Sequence, residues 1–495
     1  MAAQDADYGL LVPGAHRARG LAGDRQVLRC LVRAETAWVA AQAQLGLVPD
    51  SAAEAAADVL TDEVLDRSFD LADLAERSEL GGNPVIPMLA DLRAAVREID
   101  PEAVGAVHRG LTSQDVLDTA LMLVLREALQ HLDDFLSQAQ FALAGLAQRH
   151  RHALCAARTL TQHALPTTFG LRCAQWLEGL ADAHERLDRL STPVAIGGAA
   201  GTLAGSQALF EQQEDLQRGS ACSAELSEQV LQLHAAWARQ LGLEEAPHVW
   251  HTARQPVLDA GAALGSVCAA IGRIADDVLL LSRPELGELR EPTGPGRGVS
   301  SAMPQKQNPV LSVQLKRTAL SAPQLLASLF TAASSSVDER PDGAWHVEWP
   351  ALQQLLRLSL TACSQLAELA QGLRVDVERM EENLRASGPA LLSERIVTAL
   401  RPAVQEVDGA TGAQRIQAVL ARAGADVEAA VDGLVEITGE GRDAQGHALD
   451  RQRLQQLCDP RGYLGAADLL IDRALARQNE REALPGGGAR TGEDS

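Results

Sequence analysis

The chain has 495 residues, of which 46% are hydrophobic and only 3% aromatic, and its formal net charge is −22 at pH 7. This length provides core for two to four domains, and a charge this negative argues against a nucleic-acid-binding surface, which needs clustered Lys and Arg. The apolar residues are mostly Ala, Leu and Val. Because Ala and Leu are the best helix formers and β-rich runs are scarce, an all-α protein is the most economical prediction.

Seven cysteines are scattered along the chain without a Cys-x-x-Cys pair. This pattern predicts reduced thiols and argues against a disulfide framework or a zinc site. No apolar segment typical of a secretory signal stands near the N-terminus. The uncharged stretches 190–210 and 318–337 contain too many polar, Pro or Gly residues for a membrane helix. We therefore expect a cytoplasmic protein without a membrane or nucleic-acid partner.

The first 111 residues predict an N-terminal domain of shorter helices, interrupted by a turn at 81–84. Apolar residues then recur at helical spacing from Asp115 to His150, which predicts a helix of about thirty residues. Such a length is typical of long-helix bundles. We expect five long helices in a central domain over residues 112–372. The other four are predicted at 168–190, 256–281, 310–333 and 351–373.

Residues 373–484 are Ala-rich with several Gly breaks, and they predict a smaller C-terminal helical domain. The Gly-rich residues 485–495 predict a disordered tail. The run 197–201 lacks the Lys-Ser/Thr of a phosphate-binding loop, so it predicts a tight connection between helices.

The Gly- and Pro-dense stretch 292–309 precedes the fourth long helix. It contains Ser300 and Ser301, followed by Lys306 and Asn308. A loop of this composition can close over an anion and offer backbone N–H groups, a cation and a hydroxyl. A polar surface turn is the alternative interpretation.

Two further segments lie just before predicted helices. Thr112, Ser113 and Gln114 begin the first long helix, where hydroxyls and the positive end of the helix dipole suit a carboxylate. Ordinary helix capping is the alternative. Residues 158–166 contain Thr159, Gln162 and His163, and for this segment a helix-start turn with one satisfied histidine is the alternative.

Residues 300–309 match the pattern Ser-Ser-x-Met-Pro-x-Lys-x-Asn-Pro at every fixed position. They resemble the signature loop of the aspartase/fumarase superfamily, and the segments at 112–115 and 158–166 resemble its first and second conserved regions. The resemblance implies a three-domain all-α fold with a central five-helix bundle and a homotetramer of helical core. In that arrangement the three regions come from three different subunits and meet at one active site, which needs no cofactor and no metal.

The resemblance also implies roles for individual residues. Ser300 would be the base that removes a proton next to a carboxylate of a succinate-type substrate, and Lys306 and Asn308 would stabilise the resulting aci-carboxylate. A histidine acting as base, with Ser300 only binding, stays open. The expected substrate-binding residues are Asn83, Thr112, Ser113, Gln114, Thr159, Gln162, His163, Ser301, Met303 and Arg340.

Within the superfamily nearly the whole chain resembles 3-carboxy-cis,cis-muconate cycloisomerases, with three departures. Leu160 stands where adenylosuccinate and argininosuccinate lyases carry a proton-donating His. Gln305 and Gln307 replace His and Arg of the typical signature loop, and residues 253–256 lack one further cation of the cycloisomerase pattern. Fewer cations suggest fewer substrate carboxylates.

An amine leaving group normally needs a general acid, so Leu160 favours a leaving group that departs as a stable anion. A dicarboxylate with such a leaving group resembles the substrate of nitrosuccinate lyases, relatives of this cycloisomerase branch. The resemblance implies a carbon–nitrogen lyase that eliminates nitrite from nitrosuccinate to give fumarate. A cycloisomerase is the first alternative, followed by an adenylosuccinate-lyase-like enzyme acting on an aspartate derivative and by a non-catalytic relative. Metal binding at His248 and His251 lacks an obvious third ligand, so packing beside Trp250 is the preferred interpretation there.

Overall fold

The computed structural model describes residues 9–217, 223–300, 302–303 and 305–483, and within them the prediction of a helical fold is confirmed. The predicted tail at 485–495 lies outside the described residues. The helices are α1 (Asp24–Gln44), α2 (Asp50–Asp58), α3 (Asp62–Ser68), α4 (Leu71–Gly81), α5 (Val85–Ile99), α6 (Ser113–Arg149), α7 (Phe169–Asp188), α8 (Ala204–Gln217), α9 (Ser223–Leu241), α10 (Gln255–Leu281), α11 (Val310–Ser334), α12 (Gly343–Gly372), α13 (Val377–Arg385), α14 (Ser393–Leu400), α15 (Gly412–Ala423), α16 (Val427–Thr438), α17 (Arg451–Cys458) and α18 (Ala467–Ala483). Two antiparallel strand pairs are formed, β1 (Leu154–Thr159) with β2 (Gln162–Thr168) and β3 (Leu289–Arg290) with β4 (Arg374–Val375).

All five predicted long helices are present as α6, α7, α10, α11 and α12. The expected start of the last one at residue 351 was wrong, because α12 begins at Gly343 and contains Pro350 in its interior. Trp345 and Glu348, one turn apart on this first part of α12, are both buried. Their burial accounts for a helix that starts before the proline.

Two compact units divide the chain. The first comprises residues up to Phe135 together with Ala183–Gly272 and Arg317–Ser364, and the remainder forms the second. Every boundary between the units falls inside one of the five long helices. The three-domain division at 1–111, 112–372 and 373–484, like the bundle and the tetramer, stays a prediction.

In the first unit an aromatic cluster holds α1 against α9. Trp38 on α1 meets Trp237 of α9 edge-on, with ring centroids 5.4 Å apart, and lies 5.0 Å from the ring of His234. Nε1 of Trp38 donates a hydrogen bond to the carbonyl of Arg109 at 2.8 Å. The cluster therefore also fixes the chain segment that leads into α6.

A buried ionic network lies at the start of α6. The Arg254 guanidinium contacts both carboxylate oxygens of Asp118 at 2.6 and 3.0 Å and Glu348 at 2.6 Å. The indole of Trp345 donates to Asp118 at 2.9 Å. Burial alone would lower the pKa of Arg254, but Asp118 and Glu348 outweigh it and raise the pKa. Arg254 is thus a fully paired internal residue.

In the second unit α14 to α17 pack around a separate apolar core whose fully buried members include Ile396, Ile416, Leu434 and Leu454. The β1–β2 hairpin contacts α13 through Leu154, Ala156 and Leu384. This hairpin was not predicted, since the sequence of residues 158–166 suggested only a turn before a helix. Short strands paired only with each other leave little periodic signal.

The six cysteines in the described part of the chain are all buried and unpaired. Burial raises the pKa of the thiols of Cys30, Cys155 and Cys268 to about 11 or 12. They are therefore uncharged at neutral pH, consistent with the predicted reduced state. None of the helices in the described residues combines the length and apolar composition that crossing a bilayer requires.

His234 should make the stability of the first unit depend on pH. Burial lowers its pKa from 6.5 to about 4, so the unfolded chain binds this proton more readily as pH falls below 6.5. Between these two pKa values, His234 therefore lowers the free energy of unfolding by about 1.4 kcal/mol for each pH unit of acidification. His234→Gln should reduce the fall in Tm between pH 7 and pH 5, measured by circular dichroism.

The exposed His152 is the matched control, and His152→Gln should leave the pH dependence unchanged. An unchanged fall in Tm in the His234 variant would contradict the assignment.

Arg254→Met should destabilise the protein by about 3–5 kcal/mol, because two buried carboxylates lose their cation. Arg189→Met, which removes an exposed pair with Glu185 on α7, should cost less than about 1 kcal/mol. Denaturant unfolding of both variants checks the difference. Adding Glu348→Gln to Arg254→Met should restore part of the stability, and no recovery would argue against repulsion as the cause.

Candidate active site

The first predicted segment surrounds Asp115, a buried carboxylate that connects three parts of the first unit. It accepts hydrogen bonds from the backbone N–H of Thr112 at 2.8 Å and of Gly198 at 3.1 Å, and contacts Nε2 of His251 at 2.8 Å. The His251 ring packs on Gly197, where an added Cβ would lie 2.5 Å from the ring. Only glycine fits at position 197, so this residue packs closely on His251, and the 197–201 run lies in the connection between α7 and α8.

The predicted substrate-binding residues of this segment differ in how accessible their polar groups are. Thr112 and Ser113 are half-buried, and their hydroxyls form no hydrogen bond within the described residues. Gln114 is fully buried and donates its amide N–H groups to Asp118 at 3.2 Å and to the carbonyl of His251 at 2.9 Å. Its Oε1 lacks a partner among the described residues. The two hydroxyls are therefore the accessible groups of the segment.

The second segment forms the β1–β2 hairpin. Thr159 pairs with Gln162, and the two residues between them, Leu160 and Thr161, both have positive φ, at 48° and 72°. A two-residue loop with positive φ at both positions follows the right-handed twist of the strands. The Leu160 side chain is 96% exposed. Thr159 and Gln162 are also exposed, so the hairpin tip presents these side chains outward.

Residues beside this tip are held by buried polar contacts. Arg158 forms a two-pronged ion pair with Glu288, with closest atoms 2.6 Å apart, and Asn383 donates to the same carboxylate at 2.8 Å. Nδ1 of His163 contacts the hydroxyl of Ser387. Burial and Arg158 lower the pKa of His163, against the opposing effect of Glu288. A largely neutral imidazole at pH 7 follows, oriented through Nδ1.

The third segment is the signature loop, in which Ser300 is surrounded by backbone donors. Its Oγ accepts hydrogen bonds from the N–H of Met303 at 3.1 Å and of Ala302 at 3.4 Å. Two N–H dipoles directed at one hydroxyl oxygen favour negative charge on that oxygen. Ser301 lies outside the described residues.

The ends of the loop are tied to each other and to α11. Asn308 donates from its side chain and its backbone to the carbonyl of Gly298, at 3.1 and 2.9 Å, and Val299 bridges to Gln307. Gly298 has φ +65° and no space for a Cβ. The buried Glu291 accepts N–H bonds from the first turn of α11. The amide of Asn308 thus supports the loop, and its contact with substrate stays a proposal.

Two of the predicted site residues, Lys306 and Arg340, are cations that form no ion pair within the described residues. Lys306 is exposed on the loop, and Arg340 lies half-buried in the connection between α11 and α12. In contrast, Arg158, Arg254 and Arg297 are each paired with a carboxylate. In a protein with a charge of −22, Lys306 and Arg340 are therefore available for an anionic ligand. Met303 on the same loop is exposed as well.

Asn83 is nearly buried in the turn between α4 and α5. Its Oδ1 accepts the N–H of Val85 at 3.1 Å and its Nδ2 donates to the carbonyl of Gly81 at 3.3 Å. The residue therefore stabilises the turn, and a substrate contact is not needed to explain it.

The sequence did not reveal which distant residues contact each other around the predicted site residues. Asp115 and His251 are 136 positions apart, and His163 and Ser387 are 224 apart. No short-range pattern reports such pairs. His251 packs beside Trp250 as the sequence suggested, while His248 is exposed. In the described residues, the one group of ligand atoms close enough for a metal involves none of these three segments.

Comparison with known proteins agrees with these features. A protein-family model described as "Lyase" matches residues 17–321. The chain is 41% identical to nitrosuccinate lyase of Streptomyces davaonensis, over 95% of this chain and 94% of that protein. It is 38% identical to 3-carboxy-cis,cis-muconate cycloisomerase of Bradyrhizobium diazoefficiens, over 92% and 95%. The crystal structure of 3-carboxy-cis,cis-muconate lactonizing enzyme from Pseudomonas putida matches with a TM-score of 0.79 and 30% identity, over 92% of this chain and 96% of that chain. The signature loop, the helical fold and these full-length similarities together make this protein a lyase-family member of the aspartase/fumarase superfamily.

Proposed function

We propose that the protein eliminates nitrite from nitrosuccinate to form fumarate. The observation that carries this proposal is Leu160, at the tip of the β1–β2 hairpin. An alkyl side chain cannot protonate a leaving group, whereas an amine normally needs such a proton. Nitrite departs as a stable anion and needs none. The 41% identity to a nitrosuccinate lyase supports the same reaction.

The proposed chemical step uses the loop groups. Ser300 Oγ, as the alkoxide, takes the proton from the carbon next to one carboxylate, and the electron pair of that C–H bond forms the new double bond. The C–N bond breaks, and its electron pair leaves with the nitro group as nitrite. The N–H groups of Ala302 and Met303 already point at Ser300 Oγ, which lowers the cost of its negative charge.

The negative charges of the substrate carboxylates must be balanced by cations and hydrogen-bond donors of the active site. Lys306 is unpaired among the described residues, so we assign it to the carboxylate that accepts charge as the proton leaves, with Asn308 beside it. Thr112, Ser113 and Arg340 are assigned to the other carboxylate. Gln305 and Gln307 are neutral and exposed. Two substrate carboxylates suit this set of cations better than three.

A cycloisomerase is the second candidate. The chain is 38% identical to one such enzyme, and a lactonizing enzyme of this type is a structural neighbour. A lactone carboxylate also leaves as an anion, so Leu160 is compatible with both reactions. The neutral Gln305 and Gln307 favour the dicarboxylate.

We further propose that the protein is a homotetramer whose active sites combine residues from different subunits, as its superfamily membership suggests. In this arrangement Thr112 and Ser113, Thr159 and His163, and Ser300 with Lys306 are supplied by three separate chains.

A substrate panel tests the reaction. Nitrosuccinate, carboxymuconate, adenylosuccinate and argininosuccinate are each incubated with the purified protein while fumarate and nitrite are quantified together. We expect equal amounts of fumarate and nitrite from nitrosuccinate and poor turnover of adenylosuccinate. Efficient turnover of carboxymuconate without any of nitrosuccinate would instead favour the cycloisomerase.

Leu160→His probes the leaving group directly. It should not accelerate nitrite release, since nitrite needs no proton. A gain of tenfold or more, measured as kcat/KM, would indicate that leaving-group protonation limits the reaction.

Ser300→Ala should lower kcat by several orders of magnitude while leaving the circular dichroism spectrum and Tm unchanged, because only the base is removed. Gln305→Ala, in the same loop and exposed, is the matched control and should stay within about tenfold of the parent. Activity of the Ser300 variant within that same range would remove Ser300 as the base.

Shared active sites should allow inactive variants to complement one another. Ser300→Ala and a Thr112→Ala/Ser113→Ala double variant are mixed, dissociated and reassembled, and hybrids are verified by native mass spectrometry. Hybrids should recover part of the activity, because some sites receive only intact segments. Verified hybrids without activity would confine each site to one chain.

A further inference from the structure

Three side chains with metal-binding atoms converge between α6 and α7 in the first unit. Asp133 lies on α6, and His184 and Asp188 lie one turn apart on α7. One ligand atom from each lies within 4.8 Å of the other two. Because α6 rises about 1.5 Å per residue, Asp133 is about 30 Å along the helix from Ser113. The cluster therefore does not belong to the segment that begins α6.

His184 has the geometry of a ligand and not that of a hydrogen-bonded core histidine. Its side chain is 1% exposed, and its Nε2 is 2.8 Å from Asp133 and 3.9 Å from Asp188. Despite the short distance, Nε2 makes no hydrogen bond among the described residues. The oxygen of Asp133 must then lie away from the axis of the ring nitrogen, along which an N–H would point.

An off-axis oxygen is compatible with a cation shared by the two side chains. With metal–ligand bonds of about 2.0–2.2 Å, ligands at neighbouring corners stand roughly 3 Å apart, while the metal itself occupies the axis of the imidazole nitrogen. The distances from His184 to the two carboxylates bracket this separation. A buried imidazole nitrogen left without a hydrogen bond is otherwise costly.

We propose that Asp133, His184 and Asp188 bind a divalent transition-metal cation. One imidazole and two carboxylates suit Zn²⁺, Co²⁺ or Mn²⁺. The side chain of Asp188 is 47% exposed and that of Asp133 29%, so water can reach the site and fill the remaining coordination positions. A bound ion would connect α6 to α7 and stabilise the folded state in proportion to its occupancy.

The sequence predicted no metal site, and this one is hard to recognise from sequence because its ligands come from two helices. His184 and Asp188 form only an i, i+4 pair in the sequence, and the third ligand lies far upstream. Nδ1 of His184 has no hydrogen-bond partner in the described part of the chain. In typical sites a hydrogen bond to the second imidazole nitrogen orients the ring and raises metal affinity 10–100-fold. Because His184 lacks this bond, its metal affinity should be lower than in structural zinc sites.

Cobalt binding tests the proposal without relying on enzyme activity. The full chain is stripped with EDTA, dialysed and titrated with Co²⁺ while visible d–d absorption is recorded, and Zn²⁺ binding is measured by calorimetry. We expect one site per chain and a rise in Tm on adding Zn²⁺. His184→Gln should abolish both signals, and Asp188→Asn, at an exposed position that should fold normally, should weaken binding at least about tenfold.

His152→Gln is the matched control, since the exposed His152 approaches only one carboxylate, that of Asp468 at 3.7 Å. It should bind as the parent does. Failure of the parent to bind Co²⁺ or Zn²⁺, or equal binding by the parent and the Asp188 variant, would overturn the site.

Discussion

The buried charges at the start of α6 are the interaction on which the first unit depends. Asp115 and Asp118, one turn apart, bind His251 and Arg254 respectively. Neither carboxylate is accessible to solvent. Isolated charges in such a place would be strongly unfavourable, and pairing makes their burial tolerable only when the geometry is complete. The beginning of α6, the 197–201 turn, the segment just before α10 and the first two turns of α12 must therefore assemble together.

This arrangement determines which polar groups near the start of α6 are left without a partner among the described residues. Carboxylates and guanidinium groups inside the network bind each other, while Thr112 and Ser113 stand next to it with unused hydroxyls. The same division holds in the second unit. There Arg158 is committed to Glu288, whereas Lys306 has no ion pair among the described residues. Internal pairs give the scaffold its shape, and in our proposal Lys306 and the two hydroxyls bind the anionic substrate.

The signature loop holds the Ser300 hydroxyl, our proposed base, between two ends that are tied in place. Asn308 and Gly298 close its base, and Glu291 holds the first turn of α11. Between these anchors Ser300 receives two backbone N–H groups. An alkoxide is a strong base whose formation is difficult in water, and oriented dipoles reduce that difficulty without the need to reorganise during the reaction. The anionic leaving group of our proposal fits this arrangement, because nitrite elimination needs a base for the C–H proton and no acid for the leaving group.

The sequence by itself determined the helical fold, the five long helices and the family. These features are expressed locally, in apolar periodicity and in a contiguous motif from Ser300 to Pro309. It did not reveal the hairpin at 154–168, the early start of α12 or the internal role of Arg254. Tertiary structure decided these three features. The partners of Arg254, for example, lie 136 and 94 positions away in the sequence. Whether a charged side chain faces a substrate or a buried carboxylate depends on such distant contacts, which no local pattern encodes.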